Sequence, residues 1–123
     1  MIKLAYPLRR LPQLSRAEFQ RYWFEVHGPL VRQHADALAI QRYVQLHTLE
    51  DPLNDALRAS RGGGEAYDGI AELWWRSREE LEAALRSPAG QTASLRLLED
   101  ERKFIDLPRS PLWIAEERLV LGR

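Results

Sequence analysis

The stretch Asp68-Gly69-Ile70-Ala71-Glu72-Leu73-Trp74-Trp75, followed after Arg76 by Ser77-Arg78-Glu79-Glu80-Leu81, decides the fold. The first eight residues are mostly apolar or aromatic and read as a strand. The next five read as a helix start. Ser77 supplies the cap, Glu80 sits three residues on, and Leu81, Ala84 and Leu85 continue an apolar face. Successive strand side chains point to opposite faces of a sheet. Leu73 and Trp75 therefore share one face, and Ile70 and Trp74 share the other. Both faces are apolar, so both are expected to be buried.

The same order appears earlier in the chain. Met1 to Leu8 is a short apolar strand with Pro7 near its end. Arg9 to Gln13 is a turn. Leu14-Ser15-Arg16-Ala17-Glu18-Phe19 then carries a capping box, Ser15 with Glu18, and a hydrophobic staple, Leu14 with Phe19. Phe19, Tyr22, Trp23 and Val26 give one apolar helix face. Gly28-Pro29 is expected to interrupt this helix, with Pro29 opening a second piece that carries Leu30, Val31, Ala37 and Leu38. Ile40 to Leu49 returns as a strand, with Ile40, Val44 and Leu46 on one face and Gln41, Tyr43, Gln45 and His47 on the other.

The second half repeats this plan. Residues 50–67 form a loop, most flexible at Arg61-Gly62-Gly63-Gly64-Glu65, in which Pro52 to Ala59 could make a short helix. Ser87-Pro88-Ala89-Gly90 breaks the helix that starts at Ser77. The next helical piece places Leu95, Leu98 and Ile105 on one side and Glu99, Glu101 and Lys103 largely on the other. Leu112 to Leu121 is the last strand. The order β-α-β, loop, β-α-β predicts one α+β domain over residues 1–123. Its architecture is ferredoxin-like βαββαβ with a four-stranded antiparallel sheet. Two helices cover only one sheet face, so the other needs shelter. A second copy packed sheet on sheet, a homodimer, is the preferred cover, and the 50–67 loop folding back is the alternative.

Bulk composition narrows the function. Lys+Arg and Asp+Glu are both 18 and the formal net charge is zero. That balance argues against a nucleic-acid partner and gives no pull toward an anionic membrane. The absence of cysteine removes disulfides, thiolate chemistry and Cys-ligated metals. The opening MIKLAYPLRR lacks the apolar core of a signal peptide, and no run is long enough to span a membrane, so a cytoplasmic soluble protein is expected. Gly62-Gly63-Gly64 lacks the Lys and Ser/Thr of a phosphate loop. His27 and His34 are seven apart across Gly28-Pro29, which does not make a metal site.

Several residues here match a known family. Leu14 to Phe19, Tyr22-Trp23 and Val26-His27-Gly28-Pro29-Leu30-Val31 resemble the signature of the EthD family. Tyr67 to Trp74, Ser87-Pro88 and the run Asp100 to Asp106 match its later part, in the same order. The Gly-rich insertion at 50–67, His47 and Trp75 lie outside the pattern. The resemblance implies a homodimeric α/β barrel whose paired sheets enclose a cleft for a small apolar molecule, aromatic or polyketide-like. It also implies a role near an oxygenase system: oxidoreductase or monooxygenase, dehydratase, isomerase or accessory subunit. No tightly bound cofactor is implied, and haem enters by fold analogy only. Fold alone does not fix the activity.

The catalytic candidates are His27, Tyr43 and His47. His27 closes an amphipathic helix and could either move protons in a cleft or cap the helix end. Tyr43 and His47 lie four apart on one strand face, which suits either a cavity wall or an interface. The candidate substrate-binding residues are Tyr6, Trp23, Tyr67, Glu72 and Trp74. For the tryptophans, core or interface packing competes with that role. Glu72, if buried, needs a partner such as Arg42. Asp100 and Asp106 are accounted for by helix-surface charge and capping. A carrier that sequesters a hydrophobic metabolite is the competing function.

Overall fold

In the computed structural model, which describes residues 1–122, the register of one central strand organises everything else. The strands are β1 (Ile2–Leu8), β2 (Arg42–His47), β3 (Gly69–Trp75) and β4 (Trp113–Glu116). They form one antiparallel sheet in the order β2-β3-β1-β4. The helices are α1 (Arg16–Tyr22), α2 (Gly28–His34), α3 (Pro52–Arg61), α4 (Arg78–Arg86) and α5 (Pro88–Glu101). This is the split βαβ arrangement expected from the sequence.

Both helix starts behave as their sequences dictate. Ser15 Oγ accepts from the Glu18 backbone N–H at 3.1 Å, and Glu18 Oε1 accepts from the Ser15 backbone N–H at 2.9 Å. Ser77 Oγ likewise accepts from the Glu80 backbone N–H at 3.1 Å. The segment 50–67 contains α3, which starts at Pro52 as the sequence allowed and runs on to Arg61, capped by Asp51.

The first helix is not interrupted at Gly28-Pro29. It passes instead through a π-helical turn, Trp23–His27, and continues as α2. Pro29 has no N–H and its ring crowds the carbonyl four residues back, so a wider turn is the local remedy. The last strand is also shorter than expected, covering Trp113–Glu116 rather than Leu112 to Leu121.

The register sorts the side chains. Lys3, Arg42 and Trp74 form one row of the helix-free face, and Ala5, Val44, Glu72 and Trp113 the next. Trp74 is buried there without a second copy. Lys3 Nζ and Arg42 Cζ lie 4.5 and 4.8 Å from its ring centroid, and its indole N–H donates to Glu117 Oε1 at 3.0 Å. Glu72 pairs with Lys3 at 3.0 Å rather than with Arg42. The chain's own charged side chains thus cover Trp74, whereas Leu46 and Trp113 on the same face stay about half exposed.

On the other face, Tyr6, Leu8, Phe19, Trp23, Ala71, Phe104 and Ile105 form the core. Phe104 holds its centre, with ring centroids 5.5 Å from Phe19 and 5.1 Å from Tyr22. Buried Asp68, at the entry to β3, ties this layer to the β1–α1 connection. It accepts from the Arg10 backbone N–H at 2.8 Å, the Arg10 guanidinium at 2.6 Å and Arg16 Nε at 2.9 Å. Asp68→Ala would leave the Arg10 backbone N–H unpaired and take from Arg10 and Arg16 their shared buried carboxylate, so a loss of about 3 kcal/mol is expected. A urea midpoint unchanged from wild type would refute that role. Among the described residues, no helix is long and apolar enough to cross a membrane.

Candidate functional site

A cavity of about 350 Å³ lies between the helices and the sheet. That is the small end of the range for ligand pockets. Its position follows from the register. On the helix-bearing face, Tyr43, Leu73, Leu4 and Ile114 make one cross-strand row, and Gln45, Ala71 and Tyr6 the next. Ala71 is the small residue at the centre of the floor. The third row, His47, Gly69 and Leu8, has no side chain in the middle, and Trp23 fills that gap. A Cβ on Gly69 would lie 2.3 Å from the Trp23 ring and 2.7 Å from the Leu46 carbonyl oxygen. Gly69→Ala is therefore expected to displace the indole that walls the cavity and to cost about 1–3 kcal/mol. Near-UV circular dichroism would report the tryptophan movement, and an unaltered spectrum would contradict it.

The π-turn aims His27. An extra residue in the turn sets the following register back by one. Val26 and Phe24, 47% and 66% exposed, turn outward, whereas His27, at 5%, turns in. This corrects the apolar face read from sequence, which included Val26. His27 Nδ1 lies 2.8 Å from Asp100 Oδ2, and Tyr22 donates its hydroxyl to Asp100 Oδ1 at 2.6 Å. Asp100 is 2% exposed. It is not the helix-surface charge expected from its neighbours.

The electrostatics of this pair are legible. Burial pushes the Asp100 carboxyl up, but the hydrogen bonds from Tyr22 and His27 outweigh it, and the group sits below its ordinary value. Burial pushes His27 down, and this exceeds the upward pull of Asp100. The imidazole is therefore neutral at pH 7. An ionised Asp100 can only accept, so Nδ1 carries the proton and Nε2 keeps its lone pair.

A second polar pair faces the same space. Tyr6 donates its hydroxyl to Glu101 Oε1 at 2.8 Å. Burial, opposed by the Tyr6 hydrogen bond and reinforced by the Asp100 charge, holds Glu101 above the ordinary carboxyl value. Tyr43 accepts from the Gln45 amide at 2.8 Å, and burial raises its phenol to about 12. Leu85, Leu112 and Ile114, each about half exposed, form the outer rim.

Of the residues singled out in the sequence, His27, Tyr43, Tyr6 and Trp23 line this one cavity. His47 does not. It stacks on the Trp23 ring at 4.7 Å and meets Gln45 Oε1 at 2.8 Å, facing an outer groove. Tyr67 lies beneath the Arg9 guanidinium, 4.0 Å from ring centroid to Cζ. Glu72 and Trp74 belong to the opposite sheet face. Asp100, Glu101 and Tyr22 are the site residues that sequence reading missed. A signal was present. Gly90, Ala93, Leu97 and Phe104 mark an inward stripe at helical spacing, and Asp100 and Glu101 fall within it.

The fold and the helix-side cavity define a class: a split βαβ sheet with its pocket under the helices of a single chain. Residues 11–108 match the EthD domain model. The chain belongs to the EthD family. An EthD family protein from Bacillus halodurans C-125 is 22% identical, with a TM-score of 0.63 over 96% of this chain and 99% of that one. An EthD-like protein from Ralstonia eutropha JMP134 is 18% identical, with a TM-score of 0.60 over 99% and 94%. SnoaB, a cofactor-independent oxygenase from Streptomyces nogalater, is 13% identical, with a TM-score of 0.58 over 99% and 97%. No curated protein matches the chain.

Proposed function

We propose that the protein is a small-molecule enzyme that binds an apolar metabolite in the helix-side cavity and moves a proton with His27. The observation that carries this reading is a buried, neutral imidazole, held through Nδ1 by Asp100, at the wall of a largely apolar cavity. Such a base can take a proton from a carbon acid or a phenol. That step opens an isomerisation or a dehydration, and equally a cofactor-independent oxygenation in which the resulting carbanion or phenolate reduces dioxygen. The likeness to SnoaB favours including the last. Tyr43 contributes a neutral phenol, not a second base.

The lining does not fit a haem. No Arg or Lys among the lining residues could pair with its propionates, and Glu101 would oppose them. The enzyme is accordingly proposed to work without a tightly bound cofactor. A homodimer through the helix-free face is also proposed, supported by Leu46 and Trp113, which are 45% and 50% exposed there. The catalytic cavity does not depend on it, because it opens on the opposite side of the sheet.

Proton transfer can be tested without knowing the natural substrate. An enolisable aryl ketone such as 1-tetralone, incubated with the protein in deuterium oxide, should gain deuterium next to its carbonyl. Retained binding with exchange abolished by removal of the imidazole identifies an enzyme. Binding with no exchange in the wild type identifies a carrier or an accessory subunit instead.

A further inference from the structure

The cavity has one carboxyl side chain and, among its described lining residues, no Lys or Arg to pair with it. Its polar atoms come from Tyr6, Trp23, His27, Tyr43, Trp75, Ser94 and Glu101, the rest of the lining is hydrocarbon, and the described residues place no Lys or Arg in it. Trp75 spends its N–H on the Leu38 carbonyl at 2.7 Å. Tyr6 spends its hydroxyl proton on Glu101 Oε1, which leaves the other carboxyl oxygen without a hydrogen-bond partner among the described residues. Asp100 and Glu101 are consecutive on α5 yet differ in role. Asp100 uses both oxygens on Tyr22 and His27, whereas Glu101 has one to spare toward the cavity.

We propose that Glu101 is the group that reads the substrate, that Tyr6 positions it, and that the site takes an uncharged ring bearing a hydroxyl or carbonyl while rejecting a carboxylate or phosphate. The inference rests on the reading of this cavity as the binding site. A neutral hydroxyl can donate to the Glu101 carboxylate, and a carbonyl can accept from the protonated carboxyl. An anion finds no positive partner there and meets the Asp100 charge as well. In an enolisation the balance is simple. His27 Nε2 takes the proton from carbon, Glu101 gives its proton to the carbonyl oxygen, and solvent returns the proton from imidazolium to carboxylate.

The titratable groups around Glu101 are Tyr6 from β1, Tyr22 from α1, His27 from the π-turn, Tyr43 from β2, and Asp100 with Arg96 from α5, with Lys103 just beyond. Burial holds the Glu101 carboxyl above its ordinary value. Anion affinity should therefore fall as pH rises and Glu101 ionises, whereas affinity for a neutral hydroxyl ligand, which can donate to either form of the group, should stay level.

The test compares 2-naphthol with 2-naphthoate, followed by quenching of tryptophan fluorescence in the wild type, Glu101→Gln, Tyr6→Phe and the exposed control Glu99→Gln. Naphthol is expected to bind at least about tenfold more tightly than naphthoate to the wild type and to Glu99→Gln. Glu101→Gln should shrink that ratio and remove the pH dependence of naphthoate binding, and Tyr6→Phe should move its midpoint. Equal affinity of the two ligands, or a preference untouched by Glu101→Gln, overturns the proposal. Failure of both ligands to bind overturns both the proposal and the cavity reading. Naphthol binding with no ketone exchange removes the enzyme reading and leaves this selectivity standing.

Discussion

The His27→Gln protein should bind a neutral aryl ketone much as the wild type does and lose roughly 10²–10⁴-fold in proton exchange, the usual contribution of a positioned acid–base side chain. Glutamine can keep one hydrogen bond to Asp100 while offering no basic nitrogen to the cavity. Asp100→Asn should give an intermediate loss. The Tyr22 hydroxyl can accept as well as donate, so it can face the new amide N–H while the amide oxygen still receives the imidazole Nδ1–H. The tautomer survives, but the charge that steadies the developing imidazolium is gone. The acid limb of the wild-type rate profile should fall below the ordinary histidine value of 6.5, because burial depresses His27. The same depression has a stability counterpart. A folded-state pKa below the unfolded one contributes stability that is present above pH 6.5 and lost as pH falls, and Asp100 adds a similar loss further into acid. Exchange that persists in His27→Gln would remove His27 from the mechanism.

Local chemistry explains what the sequence disclosed. Capping boxes and period-two strands are written in adjacent residues, so both helix starts and the β-α-β order could be read directly. The missed features depend on residues far apart in the chain. The π-turn arises because Pro29 acts on a carbonyl one turn earlier, and its effect is to exchange Val26 for His27 on the inner face. Asp100 sits in a run of charges, so composition placed it on the surface. Only Tyr22 and His27, more than 70 positions away, explain its burial. Trp74 taught the converse lesson. Its position on the helix-free face was readable from alternation, but its cover by Lys3 and Arg42 required the cross-strand register. Likewise the sheet faces were legible while the cavity's side was not, because Gly69 and Ala71 look unremarkable until Trp23 and Tyr6 are placed beside them.

Gly90→Ala should be the most damaging single-methyl change in the chain. Ser87 ends α4 and caps α5 at once: its Oγ donates to the Ala84 carbonyl and accepts from the Gly90 N–H, both at 2.9 Å. That double use folds the second helix tightly back on the first. A Cβ on Gly90 would lie 1.7 Å from the Ala84 carbonyl oxygen and 2.7 Å from its carbon. Both atoms are backbone, so no rotamer change relieves the clash and the elbow itself must open. Overpacking of this kind costs about 3 kcal/mol or more, which corresponds to a fall of roughly 10 °C in Tm for a chain of this size. The damage should reach the site as well. Glu101 lies eleven residues along α5, about 16 Å from the elbow at 1.5 Å per residue. A small rotation at Gly90 therefore moves Asp100 and Glu101 away from His27 and Tyr6. Gly64→Ala is the matched control, because nothing lies within 4 Å of its added methyl, and it should leave Tm unchanged or slightly raised. Equal melting temperatures for the two variants would show that the α4–α5 elbow is looser than this contact requires, and with it the placement of both carboxylates.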